Sequence, residues 1–398
     1  MNPAVPEVIS LGCRLNLAES ETIRALLGRR DTVVINSCAV TDAAVKQTRA
    51  AIRRARRDRP NAELVVTGCA ATIDPAGFAA MAEVDRVVSN DIKGAPASWG
   101  AAVATTPLAF SGHARAFVEV QNGCDHRCTF CMIPFGRGAS RSIPAGAVIA
   151  RIAALVAAGH REVVLTGVDL TSYGPDLPGA PTLGMLVERI LRHVPALARL
   201  RLSSLDSVEI DDRLFELITS EPRVMPHVHL SLQAGNDLVL KRMKRRHSRR
   251  EAVALVERLK ACRPDLAIGA DLIAGFPTED AAMFADTLAL IADADIVHGH
   301  IFPYSPRAGT PAARMPQVEP EVRRERAALL RAAAAARKTA WLRTLVNSTQ
   351  QVLVERPGTR GHVGSFAEVV MPQSGTPGII ATVRITGTTD THLLGTIA

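Results

Sequence analysis

Hydrophobic residues in the first hundred positions fall into short runs, and polar stretches with helically spaced apolar residues separate these runs. Four of the runs predict strands, at 6–11, 32–36, 63–67 and 83–89. The intervals predict helices over about 18–29 and 42–57. Alternation of strand and helix at this period favours a parallel sheet covered by helices. Residues 1–97 are therefore predicted to form an N-terminal α/β domain.

A second and longer series of the same kind follows a stretch rich in Ala, Pro, Ser and Thr, which predicts a linker at 98–114. Six further apolar runs predict strands, at 116–121, 162–166, 199–203, 227–232, 268–273 and 298–302. Helical patterns, such as the one at 182–193, lie between them. We therefore predict a partial (β/α)6 barrel over residues 115–345, with active residues at the carboxyl ends of its strands.

The C-terminal part of the chain has a different pattern. Residues 319–345 predict a long basic helix, and the residues after it are rich in Val, Ile, Thr and Gly. Apolar runs at 351–355, 367–371 and 379–385 predict the strands of a small β-barrel over 346–398. The predicted fold class is α/β with this small barrel appended, and such a barrel is a candidate nucleic-acid module.

Composition limits the function classes. Hydrophobic residues make up 47% of the 398 positions and charged residues 22%, which is typical of a soluble globular protein. No apolar run is long enough to span a bilayer, and the N-terminus lacks the pattern of a secretory signal. We therefore expect a cytoplasmic protein without a membrane partner. In that compartment its clustered cysteines indicate metal or redox chemistry more often than disulfides.

The net charge of +8 suggests a polyanionic partner such as nucleic acid, although a basic surface without a specific partner is an equal alternative. Two dense basic runs, 49–59 and 241–250, could contact phosphates. The candidate RNA-binding residues are Arg53, Arg56, Lys241, Lys244, Arg245 and Arg246. Each run could also be an ordinary solvated face. Aromatic residues are only 4% of the chain, so extensive base stacking is not indicated.

Three scattered cysteines, here called the first trio (Cys13, Cys38 and Cys69), each follow a predicted strand. Because the carboxyl ends of parallel strands meet at one edge of a sheet, where ligands bind in open α/β sheets, we predict that the three thiols converge. The alternative is three unrelated core thiols, since free cysteine is often buried. The isolated Cys262 is predicted to be such a core residue.

A second set of three cysteines, the second trio (Cys124, Cys128 and Cys131), lies within eight residues after the first strand of the barrel. Three thiols cannot easily form two disulfides, but they can hold three irons of a four-iron cluster and leave the fourth iron open for chemistry. A zinc knuckle is the alternative. It would need a fourth Cys or His, and His126 is badly placed for that role.

The Cys-X3-Cys-X2-Cys spacing, with Phe130 before the last thiol, resembles the radical S-adenosylmethionine superfamily. The resemblance to a methylthiotransferase of this type extends over almost the whole chain, through LGCRLNLAESE, INSCAVT, VTGCAA and VQNGCDHRCTFCMIPFGRGASRS. HLSLQAGNDLVLKRMKRRH, DLIAGFPTE and PYSPRAGTPAARMP are most similar to the subgroup that modifies threonylcarbamoyladenosine in tRNA. The C-terminal barrel resembles the TRAM domain, an RNA-binding module.

This resemblance implies two 4Fe-4S clusters. The first trio would hold an auxiliary cluster that carries the sulfur to be inserted, and the second trio would hold the cluster that cleaves S-adenosylmethionine to a 5′-deoxyadenosyl radical. One S-adenosylmethionine would methylate the sulfur, and a second would provide the radical that removes hydrogen from C2 of the adenine. That C–H bond is unactivated, so acid–base catalysis could not break it. The implied contacts of the cofactor are Phe130, Gly167, Asp169, Ser203 and Gln233, although the last four could equally be strand terminators or helix caps.

The implied substrate is threonylcarbamoyladenosine at tRNA position 37, in the anticodon region, and the implied electron donor is a flavodoxin or ferredoxin. Two alternatives keep the chemistry and change the substrate to isopentenyladenosine in tRNA or to an aspartate of a ribosomal protein. A third alternative is an iron–sulfur RNA-binding regulator without turnover, and the intact loop of the second trio argues against it. The C-terminal barrel is short and has few basic residues, which puts its affinity for RNA in doubt.

Overall fold

Four parallel strands form the first sheet in a computed structural model that describes residues 6–28, 30–102 and 113–398. Their order in the sheet follows the chain. The elements are β1 (Glu7–Ser10), α1 (Arg14–Leu27), β2 (Thr32–Ser37), α2 (Asp42–Asp58), β3 (Glu63–Gly68), α3 (Cys69–Ile73), α4 (Pro75–Ala79) and β4 (Arg86–Val87). All six residues of β2 are buried, which is why its apolar run is continuous and not alternating. The predicted parallel α/β sheet is confirmed.

Helix α1 begins at Arg14, four residues before the start that the apolar pattern predicts. Its first turn contains Asn16, a buried polar residue that an apolar period does not mark. The Asn16 side chain donates hydrogen bonds to the carbonyl oxygens of Leu11 at 2.6 Å and Ser37 at 2.9 Å. The early start therefore places Cys13 at the N-cap of α1, beside the loops that follow β1 and β2.

Six parallel strands form the central barrel. They are β5 (Arg115–Glu119), β8 (Glu162–Thr166), β9 (Arg199–Leu202), β11 (His227–Gln233), β12 (Ala267–Ala274) and β13 (Ile296–Pro303). Three two-residue strands stand beside them, β6 (Gln121–Asn122), β7 (Arg141–Ser142) and β10 (Ser204–Leu205). The ladder runs β5-β8-β9 and then β10-β11-β12-β13. In the described residues β5 and β13 do not pair, so the barrel is partial, as predicted.

The barrel strands are connected by helices and short turns. These helices are α5 (Ile133–Arg137), α6 (Ala145–Ala157), α7 (Leu183–His193), α8 (Asp212–Ser220), α9 (Asp237–Met243), α10 (Arg249–Cys262), α11 (Ala281–Asp293) and α12 (Pro320–Thr344). A capping box between Ser248 and Glu251 fixes the start of α10. Cys262 is the last residue of α10 and is exposed, so its prediction as a core residue is wrong. Because the end of α10 faces solvent, this thiol has no hydrophobic core to pack into.

The N-terminal domain covers the open side of the barrel. Helix α1 packs against β5, and Ala18 of α1 belongs to the same apolar cluster as Phe117 of β5 and the rest of the barrel core. Burial of this helix face against the barrel stabilises one arrangement of the two units. The first trio is thereby held beside the carboxyl ends of the barrel strands.

The C-terminal barrel is closed and has five strands in the order β14-β15-β16-β18-β17. They are β14 (Thr349–Glu355), β15 (Arg360–His362), β16 (Glu368–Val370), β17 (Ile380–Thr388) and β18 (Leu393–Ile397). Its core includes Val352 and Val383 and is continuous with Trp341 of α12 and with Ala267 and Val297, at the amino ends of β12 and β13. The small barrel therefore closes the amino end of the central barrel, opposite the carboxyl ends of its strands.

Most of the linker predicted at 98–114 lies outside the described residues, because positions 103–112 are not among them. A short 3-10 turn, Pro96–Trp99, leads up to it, with the buried Trp99 donating a hydrogen bond to the carbonyl oxygen of Lys93 at 2.6 Å. Within the described part of the chain, no helix has the length and apolar character needed to cross a membrane.

Candidate active site

The thiols of the first trio stand at the carboxyl ends of three neighbouring strands. Cys13 follows β1, Cys38 follows β2, and Cys69 is the first residue of α3 after β3. A Cβ on Gly12 would lie 2.8 Å from the sulfur of Cys38, so only glycine lets the two loops approach this closely. Burial raises the pKa of Cys38, and the charges of Cys13 and Cys69 raise it further. The three residues are thus brought together, as their positions after parallel strands predict.

The second trio lies in the loop after β6. Burial raises the pKa of Cys124 to about 12 and that of Cys131 to about 11, and the neighbouring thiols of the trio add to both shifts. Arg245 approaches the sulfur of Cys128 at 3.8 Å through Nη1. Phe130 packs edge-on against Phe276, with the ring centroids 6.3 Å apart. The loop is therefore held against the barrel by contacts on several sides.

The two trios meet at α3 and α5. A Cβ on Gly136 of α5 would lie 3.1 Å from Cβ of Cys69, and the two helices pack together. The side-chain nitrogen of Asn90 donates to the carbonyl oxygen of Gly136 at 2.5 Å and lies 3.6 Å from the sulfur of Cys69. The charge of Cys69 is also among the causes that raise the pKa of Cys131. One cysteine from each trio therefore faces a common space.

A buried polar network, which the sequence pattern did not reveal, stands behind both trios. Arg137 donates to Glu19 at 2.8 Å and to the side-chain oxygen of Asn16 at 2.5 Å, while Lys93 donates to Glu19 at 2.6 Å. Burial opposes ionisation of Glu19, but Lys93 and Arg137 outweigh it and lower the pKa of this carboxyl. Because Asn16 also ties the loops of Cys13 and Cys38, the network joins the N-terminal domain to the second-trio loop.

The residues predicted to contact the cofactor lie at the carboxyl ends of the barrel strands. The backbone nitrogen of Asp169 donates to the side chain of Gln121 at 2.9 Å, and a Cβ on Gly167 would touch that glutamine at 3.0 Å. The hydroxyl of Ser203 is buried without a partner among the described residues. Gln233 ends β11 with a positive φ of 70°. An unpaired buried hydroxyl and a strained strand end are suited to receive a ligand, and these assignments remain predictions.

His126 lies inside the second-trio loop and is paired with acidic side chains. It lies 2.7 Å from Asp169 and 3.7 Å from Glu209, and the hydrogen bond to Asp169 raises its pKa. These three groups could hold a cation, because their ligand atoms all lie within 4.8 Å of one another. His126 is therefore not free to complete a metal shell with the three cysteines.

The basic residues predicted to contact RNA fall into two groups. Arg53, Arg56, Arg245 and Arg246 each lie within 4.0 Å of a carboxylate, on Glu83, Asp85, Asp206 and Glu209. Lys241 and Lys244 are exposed and have no ion pair among the described residues. Arginine that is neutralised by a neighbour attracts phosphate less, so the two lysines are the better-placed candidates.

The spacing of the thiols distinguishes between kinds of metal centre. All six cysteines are free, and in neither trio do the three sulfur atoms all lie within 4.8 Å of one another. A single zinc ion, with Zn–S bonds of about 2.3 Å, would hold its sulfurs roughly 3.8 Å apart. The donor sets therefore fit a wider multi-iron cluster better than zinc. Three ligands of this kind leave one iron without a protein ligand.

A partial six-stranded parallel barrel, with a three-cysteine loop after its first strand, defines the chain as a radical S-adenosylmethionine protein. The sequence profile of the Radical SAM superfamily matches residues 118–291, and that of an uncharacterized protein family designated UPF0004 matches residues 6–89. Membership of the superfamily implies S-adenosylmethionine and a 4Fe-4S cluster.

Within that class the chain belongs to the tRNA methylthiotransferase family. It is 49% identical over 343 residues to the threonylcarbamoyladenosine tRNA methylthiotransferase MtaB of Rickettsia prowazekii (strain Madrid E), which covers 82% of each chain. It is 34% identical over 392 residues to the tRNA-2-methylthio-N(6)-dimethylallyladenosine synthase of Erythrobacter litoralis (strain HTCC2594), covering 90% of this chain and 88% of that protein.

A solved structure supports the fold independently. The radical S-adenosylmethionine methyltransferase TsrM from Kitasatospora setae, with cobalamin and a 4Fe-4S cluster bound, superimposes with a TM-score of 0.51. The match covers 75% of this chain and 66% of that one, at 15% sequence identity. At this identity the likeness concerns the fold alone.

Proposed function

We propose that the protein methylthiolates C2 of N6-threonylcarbamoyladenosine at tRNA position 37, beside the anticodon. The observation that carries the proposal is the meeting of the two trios, where Cys69 of the first packs against Gly136 in the loop of the second. An enzyme that inserts sulfur at a radical centre needs its sulfur carrier next to its radical source. The 49% identity to MtaB supports this choice of substrate.

The second trio would hold the 4Fe-4S cluster of the superfamily, and the first trio would hold a second one. When bound, the cluster of the second trio and S-adenosylmethionine supply a carbon radical strong enough to take hydrogen from an unactivated C–H bond. The second cluster, when bound, supplies the sulfur that replaces that hydrogen. An external electron donor, such as a flavodoxin or ferredoxin, would supply the electron that reductive cleavage of S-adenosylmethionine consumes.

The chain's own residues would position these groups. Arg137 and Glu19 hold the second-trio loop against the N-terminal domain. Arg245 approaches the sulfur of Cys128 at 3.8 Å and so fixes the direction of that side chain within the loop. Phe130 and Phe276 give the loop an apolar flank on which a ligand's aromatic ring could pack. A tRNA substrate also places the enzyme in the cytoplasm under this proposal.

Mass spectrometry of tRNA nucleosides tests the substrate. We expect a deletion strain to lose the methylthio form of N6-threonylcarbamoyladenosine and to regain it when the gene is restored. If only the methylthio form of the dimethylallyl derivative were lost, the substrate would be the dimethylallyl nucleoside, which the name of the Erythrobacter relative gives. Unchanged tRNA, together with an altered ribosomal protein, would refute a tRNA substrate.

The reconstituted protein distinguishes an enzyme from a regulator. We expect it to cleave S-adenosylmethionine reductively and to release 5′-deoxyadenosine. A protein with its full iron content that binds tRNA but yields no 5′-deoxyadenosine would be an iron–sulfur RNA-binding regulator.

A further inference from the structure

The lumen of the central barrel contains a stack of buried charges. Glu162 of β8 lies 2.9 Å from Arg115, 3.5 Å from Arg199 and 3.1 Å from Arg201. These three arginines surround a single carboxylate that is completely buried. Burial opposes ionisation of Glu162, but the arginines outweigh it and lower its pKa to about 2. The amino end of the lumen is therefore an ion-pair layer, in which each of these three arginines has a carboxylate within 4.0 Å.

Two further carboxylates of the lumen also have partners. Glu355 of the C-terminal barrel lies 2.5 Å from Arg115 and 2.8 Å from His362. Asp271 of β12 lies 3.1 Å from His229 and 3.3 Å from His300, and these two imidazoles outweigh burial and lower the pKa of Asp271. Each acidic group of this region is thus already paired.

Among the residues that the structure describes, Arg14 is the one arginine of this lumen that lacks such a partner. No carboxylate of the described residues lies within 4.0 Å of its guanidinium, and no hydrogen-bond acceptor among them engages it. The ring of Phe366 lies beside it, with its centroid 5.4 Å from Cζ. Arg201 and Arg115 lie over the same ring, with their Cζ atoms 4.7 and 5.4 Å from its centroid, so the nearest charged neighbours of Arg14 at this ring are cations. A desolvated cation among other cations is costly unless an anion joins it.

The position of Arg14 connects this unpaired charge to the reaction. Its backbone follows Cys13 of the first trio directly, and its side chain passes into the lumen as far as Phe366. The lumen is open to solvent beside β12 and β13, because the side chains of Asp271 and His300 are 23% and 58% exposed. A ligand at the carboxyl ends of the strands could therefore extend a charged group down to Arg14.

We propose that Arg14 binds the carboxylate of the threonylcarbamoyl group and so selects this nucleoside over those with an uncharged N6 substituent. The inference rests on the proposed function, whose substrate carries one carboxylate where the lumen carries one unpaired arginine. A dimethylallyl group is apolar and would leave Arg14 without a counter-ion. The guanidinium acts as a specificity-determining group that binds substrate, and it takes no part in bond breaking.

The test compares RNAs that differ only in this carboxylate. Synthetic anticodon stem-loops carry N6-threonylcarbamoyladenosine or its neutral methyl ester, and their affinities for the reconstituted enzyme are measured by fluorescence anisotropy. We expect the wild type to bind the acid roughly 10- to 100-fold more tightly than the ester, since hydrogen bonds between a guanidinium and an ionised carboxylate are stronger than those to a neutral ester. Arg14→Gln should bring this ratio close to one, and Arg14→Lys should retain most of it.

Arg189→Gln is the matched control, because Arg189 is an exposed arginine of α7 without an ion pair among the described residues. Its acid-to-ester ratio should equal that of the wild type. The methylthiolation assay should show a raised KM for Arg14→Gln with kcat less affected, since the contact is made in the ground state as well.

The outcomes separate the two proposals. A wild type that methylthiolates the acid RNA while Arg14→Gln keeps the full acid preference overturns the role of Arg14 and leaves the proposed function intact. A wild type that does not modify the acid RNA at all overturns both. Arg14 borders Cys13, so Arg14→Gln could lose iron; iron content and substrate-free cleavage of S-adenosylmethionine are therefore measured alongside. If that variant does fail, equal binding of acid and ester by the wild type still refutes the proposal, as does an unchanged preference in Arg14→Lys, whereas a preference that Arg14→Lys reduces without abolishing supports it.

Discussion

Arg137 and Glu19, which are 118 residues apart, form an ion pair of 2.8 Å whose side chains are 1% and 7% exposed. Arg137 ends α5 behind the second trio, and Glu19 lies in α1 behind the first. The pair is therefore the charged connection between the loop that would generate the radical and the domain that would carry the sulfur.

Glu19→Gln should destabilise the protein by about 3 kcal/mol or more, because removal of one partner leaves Arg137 and Lys93 buried without a counter-charge. The measurement is denaturant unfolding of the metal-free protein. The pKa of Glu19 is lowered in the folded state, so its stabilising contribution is present above the ordinary carboxyl pKa and is lost as the pH falls below it. The gap between wild type and variant should therefore narrow in acid, and a gap independent of pH would contradict the assignment.

Cys38→Ala should abolish methylthiolation while reductive cleavage of S-adenosylmethionine remains measurable, because Cys38 belongs to the first trio alone. Cys131→Ala should abolish both, since it removes a ligand of the superfamily's own cluster. Iron analysis after reconstitution checks the cause, with about four irons lost per trio. Normal methylthiolation by the Cys38→Ala variant would refute the second cluster.

Gly136→Val should impair sulfur insertion more than cleavage of S-adenosylmethionine. A Cβ at this position would approach the Cβ and Cα of Cys69 at 3.1 and 3.3 Å, so larger groups must displace α3. Overpacking of this kind costs about 1–3 kcal/mol. The measurement is the ratio of methylthiolated product to 5′-deoxyadenosine. Gly146→Ala, where nothing lies within 4 Å of the added Cβ, is the control and should keep the wild-type ratio.

Replacing both Lys241 and Lys244 with Ala should weaken tRNA binding and reduce the slope of log affinity against log salt concentration by about one to two. Both lysines are exposed and lack ion pairs among the described residues. Arg53→Ala, which removes a cation 3.9 Å from Glu83, should change affinity much less. Filter binding over a series of salt concentrations checks both. Equal losses in the two variants would mean that the acidic neighbour does not screen Arg53.

The strand and helix pattern was sufficient to predict the two α/β units, because buried parallel strands leave continuous apolar runs, whereas the small barrel was predicted from the Val-, Ile-, Thr- and Gly-rich composition of the last fifty residues. The alignment of Cys13, Cys38 and Cys69 was predictable for a related reason: the carboxyl ends of parallel strands share one edge of the sheet. The start of α1 was not predictable, since Asn16 in its first turn is buried through hydrogen bonds and not through apolar contact. The exposure of Cys262 was likewise not predictable. Cysteine counts as a hydrophobic residue type, but the environment of this thiol depends on where α10 ends.

The sequence by itself was sufficient to predict the kind of chemistry, because the positions of the cysteines relative to one another and to the predicted strands can be read along the chain. The tertiary structure decided which charged side chains form ion pairs and which remain available to bind a ligand. It pairs Arg245 and Arg246 with Asp206 beside the second trio, whereas the basic run alone suggested phosphate contacts. It also places Arg14 in the barrel lumen without a counter-ion. Such pairings join residues far apart in the chain, so packing and side-chain direction set them, and no local period records them.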